Sequence, residues 1–451
     1  MLLLFVLGLL PSSQLEEAKL DPAYNNEYTY YLSVGHVPEE QKQDLVLALK
    51  FVLPSLSLYP TTDAQIPQQV LGTDLYRIDT RAYGWEKSYP WVSSFNPYRH
   101  PKKYWSKTGV KYRSKIVPAD WFIQFATLDE AYYRLLFDNI VFEKQDELFH
   151  RLAVNYDREF SFGFIEGNSR VATHGQQRWI QAYAMPGDYF WMTRDSRTLV
   201  GKSAPLENPQ GDFEFDAGEG IFGIRKHYTN EEGKVQRGKL QGYMLANKKG
   251  EIQVEAPTDL VLSCRRIVTE EETKLIPKGG RKGDMTIRVG YSCMVCHEIG
   301  LNRPTTNLYE KTIQEVQLWS TYEGKIDLEA FFTNITQDIE THNEIFQQTV
   351  EHISGKPCRE TIQALENIVL WYDQPVTLTV AATYLGVEEE LLKSAIAIAN
   401  IEALEELGED YDGQEFPKAL SFLTHGIPMS RDNFEEVAPE LIVIIEEFQA
   451  Q

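Results

Sequence analysis

Cysteine is scarce in this sequence, with four among 451 residues. None follows the apolar run near the N-terminus, which argues against a lipid-anchored form. Only one pair stands in a C-x-x-C spacing, so the paired spacings of common zinc knuckles are missing. Long hydrophobic runs are missing as well. Leu2 to Leu10 is apolar but too short to span a bilayer as a helix, and the chain reads as not membrane-spanning. Basic residues are depleted on one side of the molecule. Residues 301–451 carry 28 acidic and 8 basic side chains, a balance of −20, whereas residues 1–300 carry 38 and 36, a balance of −2. A strongly anionic last third repels nucleic acid and can steer a basic partner, although solvated glutamate faces explain the same charge. Catalytic triads, phosphate loops and metalloprotease motifs are absent. Asp216 and Glu219 stand close together, but in "DAGEG" they read as turn residues.

What is present starts with "MLLLFVLGLLPSSQ", an apolar core followed by small and polar residues, like an export signal without the usual basic start. Residues 1–18 are therefore read as a signal-peptide-like segment, and the chain as periplasmic or secreted. "PEEQKQDLVLALKFVLPSLSLYP" predicts a helix from Glu39 to Leu56, with Leu45, Leu49, Val52, Leu53 and Leu56 at helical spacing. Pro54 should kink or end it. Between Gly72 and Gly290 the pattern is mostly strand-like. "DLYRIDTRAYGW", "RWIQAYAM", "FEFDAGEGIFGIRKHY" and "LQGYMLANKKGEIQVEA" show alternation and aromatic enrichment, and "LDEAYYRLLFDNI" interrupts them as a helix. From about Asp327 the chain turns helical, and Ser430 is an N-cap for a late helix. The expected fold class is α+β. Residues 19–290 form a β-rich body with an N-terminal helix, and residues 291–451 an acidic, all-helical part, with a cysteine motif at the junction.

That motif is "GYSCMVCHEIG", residues 290–300. Cysteines at i and i+3 on a short helical turn point the same way and can each add to a haem vinyl group. The histidine that follows can then swing under the iron as proximal ligand. Cys293 and Cys296 would form the thioethers of one covalent haem c, and His297 the axial bond. Attachment needs an exported, locally reduced protein, in keeping with the N-terminal segment. Zinc would need two further ligands, for which Cys264 and Cys358 are available. A structural disulfide between Cys293 and Cys296 would leave His297 unexplained. The remaining pair, Cys264 and Cys358, is expected to form a disulfide in an oxidising compartment.

Electron-transfer haems usually fill both axial positions, commonly with Met or His, whereas an open position permits ligand or peroxide chemistry. Met294 lies inside the motif and should point away from the iron. Other candidates for the sixth position are Met185, Met192, Met244, Met285, His342, His352, His425 and Met429. His342 ranks first, 45 residues after His297 on the helix nearest in sequence.

The segment "YSCMVCHEIGL" resembles the haem segment of large exported bacterial cytochrome c domain-containing proteins with a single CxxCH. Similar stretches are "YYLSVGHV", "LYRIDTRAYGW", "VPADWFIQFAT", "YDQPVTLTVAATYLG" and "SRDNFEE", so the resemblance runs from about Tyr30 to Glu435. It implies a β-rich body, a helical C-terminal part and one covalent haem. The chain departs from it at Phe215, where the family more often shows histidine, at "RKHYTNEEGKVQRGK", which reads as an insertion, and at Cys264. The function expected is a single-haem electron carrier with a basic redox partner. The alternatives are a haem enzyme or gas or peroxide sensor with an open iron, and a binding or scaffold protein with a structural haem. A small carrier needs roughly 100 residues, so the extra length favours an additional role.

Overall fold

The structure, a computed structural model, describes residues 17–57, 61–85, 115–127, 129–137, 145–151 (except 152's neighbourhood), the strand segments named below, residues 290–300, 328–385 and 387–397, and parts of 423–445. Its fold is α+β: a small mixed four-stranded sheet, two three-stranded meanders and numerous helices.

The four-stranded sheet is built around β1 (Thr29–Ser33), whose five residues are all buried. β1 pairs antiparallel with β3 (Leu75–Asp79) and parallel with β4 (Ile116–Pro118), while β2 (Gln68–Gln69) borders β3, giving the order β2-β3-β1-β4. Alternation sends β1 side chains to two different cores. Tyr30 and Leu32 enter the main core, whereas Tyr31 packs with Ala18, Leu75 and Ile116 on the other face. Ala18 ends the segment read as signal-like from sequence and is fully buried; Leu2 to Leu10 lie outside the described residues. Asp21 braces this edge, since Arg77 Nη1 reaches both its carboxylate oxygens at 2.9 and 3.1 Å.

Helix α1 (Glu39–Ser55) begins with Glu39 and Glu40, whose charges suit a helix N-terminus, and buries Leu45, Ala48, Leu49, Val52 and Leu53. Pro54 lacks the N–H that would reach the Lys50 carbonyl, and the helix stops one residue later. β4 runs directly into α2 (Ala119–Ala126), which is buried almost all round. Helices α3 (Asp129–Leu136) and α4 (Gln145–Arg151) follow.

One meander comprises β5 (Arg158–Glu166), β6 (Gln176–Met185) and β7 (Asp188–Ser196), antiparallel in sequence order. The other comprises β8 (Gly218–Thr229), β9 (Val235–Ala246) and β10 (Ile252–Gln253), again antiparallel, and β7 lies against β8. Glu219, expected in a turn, is inside β8 opposite Leu245; its run of alternating Ile and Phe carries the strand through both glycines. Asp216 and Phe215 lie outside the described residues.

Helices α5 (Tyr291–Cys296), α6 (Leu328–Ser354), α7 (Cys358–Tyr372) and α8 (Leu378–Leu385) complete the described elements. α7 packs on α1, and α6 touches α1 and β9. One hydrophobic core therefore contains residues from both sides of the 290/291 boundary, among them Trp85, Trp121, Tyr132, Tyr291 and Phe346. Ser430 Oγ accepts the N–H of Asn433 at 3.3 Å, the capping bond expected of it. Among the described residues no helix is long and apolar enough to cross a membrane.

Candidate functional site

The C-x-x-C-H segment opens at Gly290, whose φ of +104° turns the chain into α5. A side chain there would collide with the Thr127 carbonyl and the Tyr132 ring, so the close approach requires glycine. The same Thr127 carbonyl accepts the N–H of Tyr291 at 2.9 Å, which docks the start of the motif on the end of α2. Two helical bonds follow, Met294 N–H to Gly290 and His297 N–H to Cys293, both 2.9 Å. Tyr291, Met294 and Val295 are buried in the core, while Cys293 is half-buried. Cys293 and Cys296 are thus one helical turn apart; the side chain of Cys296 lies outside the described residues.

His297 ends this helix and is buried. Its Nδ1 lies 3.2 Å from the carbonyl oxygen of Gly300. A carbonyl can only accept, so Nδ1 carries the ring proton and, in the neutral ring, Nε2 carries the lone pair. That is the tautomer required of an imidazole that binds a metal through Nε2, with a backbone carbonyl fixing the ring.

The turn that positions this histidine is held at each of its four carbonyls. The oxygen of His297 accepts Gly300 N–H at 3.0 Å, and that of Glu298 accepts the Cys358 thiol at 2.9 Å. Ile299 accepts from Gln347 Nε2 at 3.1 Å, and Gly300 accepts from the His297 ring. α6 and α7 therefore fix the turn from two sides. Gly300, with φ of +111°, lies against Asn343, and a Cβ built on it would overlap Asn343 Oδ1.

His342 precedes Asn343 on α6, so its backbone stands beside this turn; its side chain lies outside the described residues. Several other sixth-ligand candidates are engaged elsewhere. His352 Nε2 pairs with Asp63 at 3.1 Å, His425 sits on an exposed turn, and Met429 is buried in the core. Met185, Met192 and Met244 belong to β6, β7 and β9 with side chains outside the described residues, as is all of Met285.

Cys358 reaches the motif across 60 residues of sequence, which no spacing rule anticipates. It is a free cysteine, and burial pushes its thiol up to about 12, with Glu298 and Glu351 adding to the effect. A protonated thiol donating to a carbonyl is a poor zinc ligand, because zinc takes the thiolate. Cys264, its expected disulfide partner, lies outside the described residues. Among the described residues no group of three or more His, Cys, Asp and Glu is arranged to hold a metal ion. The donor set that remains fits covalent haem: a half-buried Cys293, Cys296 one turn on, and an imidazole with its Nδ1 proton committed. Asn343, Gln347 and Cys358 were not singled out as neighbours of the motif by sequence, because they meet it only through the packing of α6 and α7. No family model matches the chain, and neither a curated protein nor a solved structure matches it.

Proposed function

We propose that the protein is an exported carrier of one covalent haem c that passes electrons to or from a redox partner. The observation that carries this reading is the His297 Nδ1 to Gly300 carbonyl bond, which sets the tautomer for axial ligation through Nε2. When bound, the haem supplies one-electron redox chemistry. Cys293 and Cys296 would anchor it by thioether bonds, and His297 would hold the iron. The Gly300 carbonyl orients the imidazole and raises its basicity, and Asn343 and Gln347 keep that carbonyl in place. His342, next to Asn343 on α6, is the proposed sixth ligand. The resemblance to exported cytochrome c domain-containing proteins belongs to the same reading. So does the finer architecture: a β-rich body over residues 19–290, an acidic helical part over 291–451 and the haem at their junction. The acidic part would face a basic redox partner.

The test is to express the chain in a host with a haem-attachment system. Denatured protein on a gel should retain haem-dependent peroxidase staining, and a Cys293→Ala, Cys296→Ala double variant should lose it. Oxidised and reduced spectra then separate the roles. Six-coordinate low-spin iron supports electron transfer, and high-spin iron that binds cyanide or carbon monoxide readily supports an enzyme or sensor. Zinc without haem in the matured protein overturns the reading.

A further inference from the structure

A second polar centre lies in the same core, away from the motif. His36, after β1, places Nε2 2.5 Å from Oδ1 of Asp120 in the first turn of α2, with side chains only 1% and 0% exposed. The Tyr384 hydroxyl donates to the same oxygen at 3.3 Å, and its ring stands edge-on to His36 with centroids 4.7 Å apart. Arg431, also buried, stacks 4.9 Å from the Tyr384 ring and 4.5 Å from that of Tyr372, and its Nε donates to the Tyr372 carbonyl at 3.1 Å. Burial alone would raise the Asp120 carboxyl, but His36, Arg431 and the Trp121 N–H outweigh it and hold the group below the usual carboxylate range. Asp120 is therefore ionised and can only accept, so His36 Nε2 carries a proton.

Four buried atoms here have no hydrogen-bond partner: His36 Nδ1, Asp120 Oδ2, Trp121 Nε1 and Arg431 Nη1. Native interiors rarely leave such groups unpaired, and clusters of them call for a functional account. The charges of Asp120 and Arg431 cancel. A proton added at His36 Nδ1 would give the buried centre a net positive charge, which the interior disfavours unless a negative charge arrives nearby.

The fold supplies a place for that charge. Asp120 begins α2, and Thr127, just past its end, accepts the N–H of Tyr291 where the C-x-x-C-H helix starts. One helix of this length separates the two by about 10 Å. We propose that the His36–Asp120 pair is a proton-binding centre coupled to the haem, taking up one proton at His36 Nδ1 when the haem gains one electron. The proposal rests on the haem reading above. The electron comes from an external one-electron reductant and lowers the iron by one oxidation unit. The proton comes from solvent and forms one N–H bond; no other bond changes. The titratable and charged groups facing His36 are Asp120 and Tyr384, with Arg431 behind Tyr384. A unit charge about 10 Å away, at an effective dielectric of about 20, changes proton affinity roughly tenfold.

The test is the midpoint potential of the haem-loaded full chain, measured by spectroelectrochemical titration from about pH 5 to about pH 9, the range over which histidine titrates. The potential should fall as pH rises, between plateaus differing by roughly tenfold in the reduction equilibrium, about 59 mV for one electron. His36→Gln should abolish the slope and keep the haem spectrum. A flat profile in the wild type, or an unchanged slope in the variant, overturns the proposal. Should His36→Gln fail to fold, nitrogen NMR of histidine-labelled wild type decides. A His36 Nδ1 that gains its proton on reduction supports the coupling, and one in the same state in both redox forms overturns it. A chain that attaches no haem removes the haem reading and the coupling together. A haem-stained chain with a flat potential removes the coupling alone.

Discussion

Gly300 and Asn343 are in such close contact that a single methyl group on Gly300 would overlap the Asn343 carbonyl oxygen. The backbone at Gly300 also has φ of +111°, which residues with a Cβ rarely adopt. Gly300→Ala therefore carries two penalties, backbone strain of about 1–3 kcal/mol and a displaced α6 side chain. Urea denaturation should show the loss. Adding Asn343→Gly should recover the part due to overlap and leave the part due to φ. Equal stability of Gly300→Ala and wild type would mean the turn is not held as described.

Cys358 should be chemically silent in the folded protein. Burial raises its thiol to about 12, so little thiolate is present near neutral pH. Iodoacetamide should leave Cys358 unmodified in the native chain and label it after denaturation without reductant. If labelling requires reductant as well, Cys358 is in a disulfide, as the oxidising compartment suggested from sequence, and the bond to Glu298 is not the resting state.

Much of the local structure is legible in the sequence, and the reasons are local. The leucine and valine spacing after Glu39 defines α1, Ser430 caps where its hydroxyl stands three residues before Asn433, and alternation marks β6, β8 and β9. The adjacency of Cys293, Cys296 and His297 is likewise a property of one short helix. What surrounds them is not legible. His36 meets Asp120 across 84 residues, and Tyr384 meets it across 264. Neither pairing leaves a periodicity, because each is decided by how β1, α2 and α8 stack after they form. The charge step near residue 300 is similarly silent about contact. It marks solvated faces, whereas α1 and α7 pack through their apolar ones.

Asp120 should make the protein acid-sensitive. Its carboxyl is held below the ordinary value in the folded state. The stabilisation is therefore fully present above the unfolded carboxylate pKa of about 4 and is lost as pH falls through the lower folded value. Denaturation measured across acid pH should show wild-type stability declining over that window. Asp120→Asn should flatten the decline and, by stranding His36 and Arg431, cost about 3–5 kcal/mol near neutral pH. A variant with wild-type stability and an unaltered acid limb would show that the carboxylate is not the acid-sensitive group.

The acidic C-terminal third bears on how a partner is met. Glu388 and Glu390 are exposed on the described surface, and Lys393 neutralises Glu390 only through an exposed contact of 2.5 Å. Such surface pairs contribute little and are screened by salt. The second acidic cluster, residues 405–412, lies outside the described residues. If these faces steer a basic redox partner, the rate of electron exchange with a small cationic reagent should fall as ionic strength rises. An anionic reagent should show the opposite trend, since the same field repels it at low salt. Replacing Glu388, Glu389 and Glu390 together by Gln should shrink both slopes without altering the haem spectrum. Long-range charge acts on encounter and leaves the iron's ligands untouched, so a spectral change in that variant would point to a packing role for these residues. Flat salt profiles for both reagents in the wild type would leave the negative charge as a solvated surface with no part in recognition.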